Sequence, residues 1–354
     1  MKKKKIAIAM SGGVDSSVAA ALVARAGVEV CGITMCLALP GKPSEAAACC
    51  GPQTIDDARR VCALLGIPHY VLDFGKELER SVIGDFVHEY ERGRTPNPCV
   101  RCNERVKFEA LLNKASALGF DALATGHYAR VLKKGGKLFL AKAKDPAKDQ
   151  SYFLCRLTRE KLSRIEFPLG DLTKPEVRQI ARELRLPVAE KKESQEICFI
   201  PGDYRVFLEG RGIRGCGPGD IIERGGKVVG KHRGIPYYTI GQRTGLGIAR
   251  GYPVYVSEID AKNNRIVVEG KEALMKREFT VTGLVFPGGR PRGRSFMARI
   301  RHLSREARAT VEFHGDTLTA RFTEPQFAIT PGQSAVFYDG ELVRCGGIID
   351  EVLR

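Results

Sequence analysis

Short apolar runs alternate with helical patterns over the first 130 or so residues. KKIAIAM (4–10), VEVCGITM (28–35), HYVLDF (69–74) and DALATGH (121–127) read as buried strands. Between them lie an Ala-rich stretch from Ser16 to Ala26 stopped by Gly27, a segment from Thr54 to Leu65, and a pattern from about Lys76 to Arg92, each predicted helical. Thr54, with Asp57 three residues on, resembles a capping box in which the acid replaces the more usual Glu. The order βαβα predicts a parallel sheet with helices on both faces.

Thr173, Pro175 and Glu176 supply an N-cap, a first-turn proline and an N3 acid for a helix running to about Leu184, followed by Pro187 and the polar loop EKKESQEICFIPGD. From about Gly215 helical periodicity disappears. Glycines punctuate the runs KVVG, YYTI, PVYVSEI and RIVVEG, which predict a small β domain. A second all-β segment starts near Phe279 and runs through FMARI, ATVEF, LTARF and SAVFYDG, predicting a barrel. The expected division is 1–204, 205–277 and 278–354.

Composition agrees with a multidomain globular chain: 354 residues, 43% hydrophobic and 28% charged. No apolar run approaches the roughly 20 residues that span a bilayer. The basic start MKKKK leads into a short apolar stretch and then Ser-Gly-Gly, not a signal-peptide core, so cytoplasmic residence is expected. The net charge of +16 is spread along the chain: residues 1–204 hold 33 Lys+Arg against 25 Asp+Glu, and residues 205–354 hold 24 against 16. A polyanion contacting both halves is the simplest partner. Eleven cysteines without a secretion signal argue for reduced, reactive or metal-bound thiols and against a disulfide framework.

The turn AMSGGVDSS (9–17) lies between a strand end and a helix start, where helical N–H groups present partial positive charge. Gly12 and Gly13 let backbone amides approach phosphate oxygens, and Ser11, Ser16 and Ser17 add hydroxyl donors. No lysine follows the glycines as in a Walker loop, and the dinucleotide fingerprint is absent. SGGVDSS resembles the signature of the N-type ATP pyrophosphatases, the PP-loop superfamily, whose loop holds ATP phosphates so that the α-phosphate adenylates a carbonyl oxygen. The resemblance implies ATP, with Asp15 at the position of an acid associated with Mg²⁺ and pyrophosphate.

Two further segments carry thiols. RTPNPCVRCNERVKF (94–108) places Cys99 and Cys102 in a CxxC spacing; its prolines predict an extended, exposed approach, and Arg94, Arg101, Arg105 and Lys107 are expected to favour a thiolate. In KKESQEICFIPG (191–202), Cys198 stands between Ile197 and Phe199, and a thiol so flanked reads by itself as a core residue. The pair Cys49–Cys50 has no companion ligand motif and reads as a surface loop. Cys31, Cys36, Cys62, Cys155, Cys216 and Cys345 read as packing positions or spare thiols.

Read together, SGGVDSS, GRTPNPC-x-x-CN-x-x-x-KF, ATGHYAR, KDQSYFL, SQEICFI, GQRTGLGI and TPGQSAVFY resemble, in order and spacing, the tRNA-specific 2-thiouridylase (MnmA/TrmU) family over essentially the whole chain. The resemblance implies a Rossmann-like, adenine nucleotide alpha hydrolase-like α/β domain, then a small β-rich domain and a C-terminal β-barrel that contacts tRNA. It implies an ATP site at Ala9, Met10, Ser11, Gly12, Gly13, Val14, Asp15, Ser16, Met35 and Gly126. It further implies Cys102 as nucleophile, Cys198 as the persulfide-bearing cysteine, and a transient Cys102–Cys198 disulfide. Asn97, Pro98 and Cys99 fall at the target-base contact, and His127, Lys148, Asp149, Gln150, Arg301, His302 and Gln333 at tRNA contacts.

The implied activity is tRNA sulfur transfer. Adenylation turns the poor C2 oxygen of the wobble uridine into a leaving group, and persulfide sulfur replaces it. Partners would be tRNA and a sulfur donor such as a cysteine desulfurase or relay protein, with the chain a monomer or weak oligomer. Two departures stand out. Many members carry Asp where Cys99 stands, so Cys99, Cys102 and Cys198 are also an expected three-thiol site for a [4Fe–4S] cluster. Where the family reads RYRQ or RYRS, this chain reads Arg301, His302, Leu303, Ser304. Arg290, Arg292, Arg294, Arg299, Arg301, Arg305, Arg308 and Arg321 form a basic segment suited to phosphate backbone. The competing classes are a PP-loop ligase or amidotransferase acting on a small molecule, and a non-catalytic RNA-binding protein.

Overall fold

A computed structural model describes residues 3–38, 51–192, 197–200, 202–213, 217–248 and 251–353. The Cys49–Cys50 pair, Cys216 and the segment 193–196 beside Cys198 lie outside the described residues.

Strand β1 (Lys5–Ala9) leads into helix α1 (Val14–Arg25), followed by β2 (Glu29–Cys36), α2 (Pro52–Leu64), β3 (His69–Asp73) and β4 (Ala122–Ala124). α1 buries Ser16, Ser17 and Val18 through Ala21, small side chains that let it lie close on the sheet. α2 starts at Gly51 and Pro52, earlier than the expected Thr54 cap. The proline, lacking an N–H, takes the first helical position, and Asp57 is bound by Gln53 Nε2 (2.9 Å) and Lys191 Nζ (2.6 Å), so no Thr54–Asp57 box forms.

The Lys76–Arg92 pattern is helical but widens to π geometry over Glu79–Ile83, between Gly75–Leu78 and Gly84–Glu91. A second run begins at the Asn97 cap, whose Oδ1 accepts from Val100 N (3.3 Å), and continues through Pro98–Arg101, Cys102–Leu111 and Leu112–Ala117.

Hairpin β5 (Arg130–Lys134) and β6 (Lys137–Ala141) leaves this unit, and β7 (Ile165–Glu166) returns to it, giving a parallel sheet of order β3-β2-β1-β4-β7. The chain reverses direction across the sheet at β1, so a crevice opens at the carboxyl ends of β1 and β4. Helix α3 (Lys174–Glu183) carries the expected capping box between Thr173 and Glu176.

A second sheet, order β10-β11-β8-β9, comprises β8 (Gly219–Glu223), β9 (Val228–His232), β10 (Tyr255–Asp260) and β11 (Arg265–Glu269) around Ile221, Val256, Ile266 and Val268. YYTI is not a strand: Ile235–Tyr237 forms a tight turn with Pro236, which cannot donate to a ladder, and the tyrosines bury into this core.

Strands β12 (Met275–Val285), β13 (Ser295–Arg299), β14 (Ala307–His314), β15 (Thr317–Phe327), β16 (Ser334–Asp339) and β17 (Leu342–Val352) close into the expected barrel through β12–β17 pairing. Phe279 stacks on Phe322 inside it, with centroids 5.4 Å apart. β6 pairs with β17 at Ala141 and Leu342, and Tyr152, Leu154 and Cys155 share a core with Val336, Tyr338 and Val343. The barrel is therefore packed onto the parallel-sheet unit.

Candidate active site

The 9–17 turn occupies the crevice at the end of β1. Gly12 takes φ +62°, and a Cβ there would lie 2.3 Å from the Thr54 carbonyl, so the position requires glycine. Ser16 Oγ accepts from Ser11 N (3.2 Å) and donates to Gly13 O (3.1 Å), while Ser17 Oγ donates to Gly13 O (2.8 Å). These bonds fix the loop around the first turn of α1. Ala9 ends β1, Met10 is buried behind it, Val14 opens α1, and Met35 lies near the carboxyl end of the adjacent β2. Gly126 abuts the loop from the other side: a Cβ on it would come within 2.7 Å of Asp15 C and Ser16 N.

Three residues not anticipated as site residues complete the turn. Asp15 accepts from Tyr128 Oη (2.7 Å) and from Lys174 Nζ (2.7 and 2.9 Å), and Lys191 Nζ donates to Gly12 O (2.9 Å). Lys174 is 8% exposed and starts α3, its backbone N–H held by Asp145 Oδ2 (2.9 Å). The lysines absent from the motif are thus supplied from more than 150 residues away. Nothing in the local sequence of either signals this; Tyr128 stands inside ATGHYAR.

The thiols differ from the expectation. Pro96 and Pro98 are buried, and Cys102 is 7% exposed within the main core, with Cys99 and Cys198 half-buried. Burial first, then the neighbouring Cys198, pushes Cys99 up to about 11, with Lys107 pulling it back. Burial pushes Cys102 up to about 12 against Lys107, with Cys198 and Cys99 raising it further. The expected thiolate therefore does not form in this state. The arginines do not promote it because each is spent elsewhere. Arg94 binds Glu89 and Asp350 (both 2.7 Å), Arg101 binds Asp85 and Glu104 (both 3.1 Å), and Arg105 binds Ser81 O (3.0 Å). What the structure does bring together is Cys99, Cys102, Cys198 and Lys107, from segments some 90 residues apart.

His127 joins the two halves. Its Nδ1 pairs with Thr125 Oγ1 (2.8 Å), its Nε2 lies 3.5 Å from Lys107 Nζ, and it packs on Phe108. Burial and then Lys107 hold its pKa well below the usual histidine range, so it stays neutral. From Asp15 and Ser16 the path runs through Gly126 and His127 to Lys107 and the thiols.

The remaining candidates are largely turned inward. Asp149 accepts from Ala143 N, Ser151 N and Ser151 Oγ, and Gln150 Oε1 accepts from Tyr128 N (2.8 Å). Arg301 Nη2 donates to Ile240 O (3.0 Å) and Ala328 O (2.9 Å) and contacts Thr330. His302 packs on Phe153 with centroids 4.3 Å apart. Gln333 Nε2 donates to Thr95 O (2.8 Å) and Pro96 O (3.3 Å), gripping the segment that leads into Asn97, Pro98 and Cys99. Lys148 is half-exposed, whereas Arg290, Arg292, Arg294, Arg305, Arg308 and Arg321 are exposed on the barrel side.

A glycine-rich turn at the crevice of a parallel sheet, contiguous with a buried thiol cluster and backed by a barrel, defines a nucleotide-activating α/β protein with a thiol site. The chain belongs to the tRNA-specific 2-thiouridylase family. Its residues 4–202 match a tRNA methyl transferase HUP domain, 206–270 a tRNA methyl transferase PRC-barrel domain, and 276–349 an aminomethyltransferase beta-barrel domain. It is 48% identical to tRNA-specific 2-thiouridylase MnmA 1 of Syntrophus aciditrophicus, covering 99% of this chain and 94% of that protein. It is 50% identical to the tRNA-specific 2-thiouridylase MnmA of Geobacter metallireducens (99% and 98% covered) and 49% identical to that of Moorella thermoacetica (98% and 99%).

Proposed function

We propose that this chain is an ATP-dependent tRNA 2-thiouridylase, a sulfurtransferase that replaces the C2 oxygen of the wobble uridine with sulfur. The observation that carries this reading is the continuity of the phosphate turn with the thiol cluster through Gly126, His127 and Lys107. A ligase acting on a small molecule has no use for that cluster.

ATP phosphates are held by the amides and hydroxyls of residues 9–16, with Lys174 and Lys191 supplying positive charge. Asp15 fits Mg²⁺, because a hard carboxylate oxygen beside bound phosphates is that ion's usual protein ligand; bound there, it would neutralise phosphate charge. Adenylation converts the C2 oxygen into the leaving group AMP and releases pyrophosphate. Cys198, half-exposed, is loaded as a persulfide by a sulfur donor of the cysteine desulfurase or relay type. Its terminal sulfur attacks C2, AMP leaves, and a C2–S–S–Cys198 link results. Cys102 thiolate attacks the Cys198 sulfur, leaving the new sulfur on C2 and forming the Cys102–Cys198 disulfide. Lys107 stabilises the thiolate that burial otherwise suppresses.

The [4Fe–4S] alternative does not fit. Among the described residues no group of three Cys, His, Asp or Glu side chains is gathered to hold a metal. For tRNA, the exposed arginines of the barrel and Lys148 suit phosphate contacts. Asp149, Gln150, Arg301 and Gln333 act by holding the segments that face the substrate. Among the described residues no helix is long and apolar enough to cross a membrane. Incubation with unmodified tRNA, ATP, Mg²⁺ and a sulfide or persulfide donor should yield 2-thiouridine by nucleoside mass spectrometry. Product persisting in both Cys102→Ala and Cys198→Ala would refute the assignment.

A further inference from the structure

The sulfur-transfer cycle leaves a disulfide between Cys102 and Cys198, and two features make that a poor place to stop. Cys102 is 7% exposed in the main core, so an external reductant reaches the bond only at Cys198 and leaves that sulfur in a mixed disulfide. Cys198 must also be a free thiol before it can accept the next sulfur. A third thiol stands beside both. Cys99 lies three residues before Cys102 in one continuous helical run, which puts the two side chains on the same face. It is more exposed than Cys102. Cys198 raises both Cys99 and Cys102, so its side chain lies near the pair.

We infer that Cys99 is the resolving thiol of this enzyme: it releases Cys198 and carries the oxidising equivalents out of the core as a Cys99–Cys102 disulfide. This rests on the thiolation reading above. In the step, Cys99 thiolate attacks the Cys102 sulfur of the Cys102–Cys198 bond. One S–S bond forms and one breaks, Cys198 leaves as thiolate, and it takes up the proton that Cys99 gave away. No net oxidation occurs in this exchange. A small dithiol such as dithiothreitol, or a protein dithiol, then attacks at the more exposed Cys99 sulfur and is itself oxidised as the CxxC pair returns to two thiols. The consequence is an order of events in which Cys198 can be reloaded with sulfur before the pair is reduced.

The test uses full-length protein, loaded at Cys198 with polysulfide, freed of excess and mixed without oxygen or reductant with unmodified tRNA, ATP and Mg²⁺. After acid quenching and alkylation with N-ethylmaleimide, disulfide peptides are mapped without reduction and counted per 2-thiouridine formed. The wild type is expected to give Cys99–Cys102 as its dominant disulfide, with Cys198 alkylated. Cys99→Ser is expected to lose that peptide and to give Cys102–Cys198 for each 2-thiouridine it makes. Cys102–Cys198 as the dominant disulfide in the wild type would overturn the inference while leaving thiolation standing. So would stoichiometric iron on the three thiols of anoxically purified protein. Absence of 2-thiouridine from the wild type would overturn the thiolation reading itself, and this inference with it.

Discussion

At the residue scale the site depends on charges and thiol states that local sequence does not show. Lys174 holds Asp15 at 2.7 Å beside the phosphate turn. Hydrogen bonds to charged groups contribute roughly 1.5–3 kcal/mol each, so Lys174→Met should lower ATP-dependent pyrophosphate release by about tenfold to a hundredfold. Lys174→Arg should recover part of it; an unchanged rate in Lys174→Met would remove this lysine from the site. The thiols give a second prediction. Because burial raises Cys99 to about 11 and Cys102 to about 12, both are neutral at pH 8, and their thiolate fractions grow only as pH rises toward those values. Iodoacetamide at pH 8 should therefore label Cys102 at least about a hundredfold more slowly in the folded protein than in urea. Comparable rates would show that the thiol is not suppressed. The CxxC spacing was legible as a thiol motif, but the protonation state was not. It depends on burial in the folded core, and on Arg94, Arg101 and Arg105 being engaged by Asp350, by Asp85 and Glu104, and by the Ser81 carbonyl.

At the element scale the helix starts decide what faces the crevice. The Thr173 box was readable because cap, proline and acid lie within four residues. The start of α2 was not: a Gly-Pro pair competes with a plausible Thr cap, and Asp57 is claimed by Lys191 from across the site. Thr173→Ala should cost about 0.5–2 kcal/mol in urea unfolding. Because Lys174 is the next residue, the same change should also raise the KM for ATP. A stability loss with KM unchanged would mean that the cap does not position Lys174. Likewise the YYTI run satisfied the strand pattern, yet Pro236 and burial of both tyrosines made it a turn.

At the scale of the whole molecule, the three-part order of an α/β unit, a small β unit and a barrel was legible from periodicity alone. The docking between them was not, because it is made by hairpin β5–β6 and by single side chains that reach across. Gln333 of the barrel grips Thr95 and Pro96, and Gly332 approaches Thr95 so closely that a Cβ would lie 3.0 Å from its backbone. The barrel thereby holds the segment entering the cysteine helix. Gln333→Ala should lower kcat for thiolation by about three- to tenfold, the loss of about one hydrogen bond's worth of positioning, with ATP binding unchanged. An effect confined to the KM for tRNA would make Gln333 a tRNA contact and not a support for the loop.

The central claim is that the phosphate turn and the thiols act on the same oxygen. Transfer RNA carrying ¹⁸O at C2 of the wobble uridine tests it directly in a single turnover, read by mass spectrometry of the nucleotide products. One ¹⁸O is expected in the phosphate of AMP for each 2-thiouridine formed, and none in pyrophosphate. Label released to water with unlabelled AMP would contradict it.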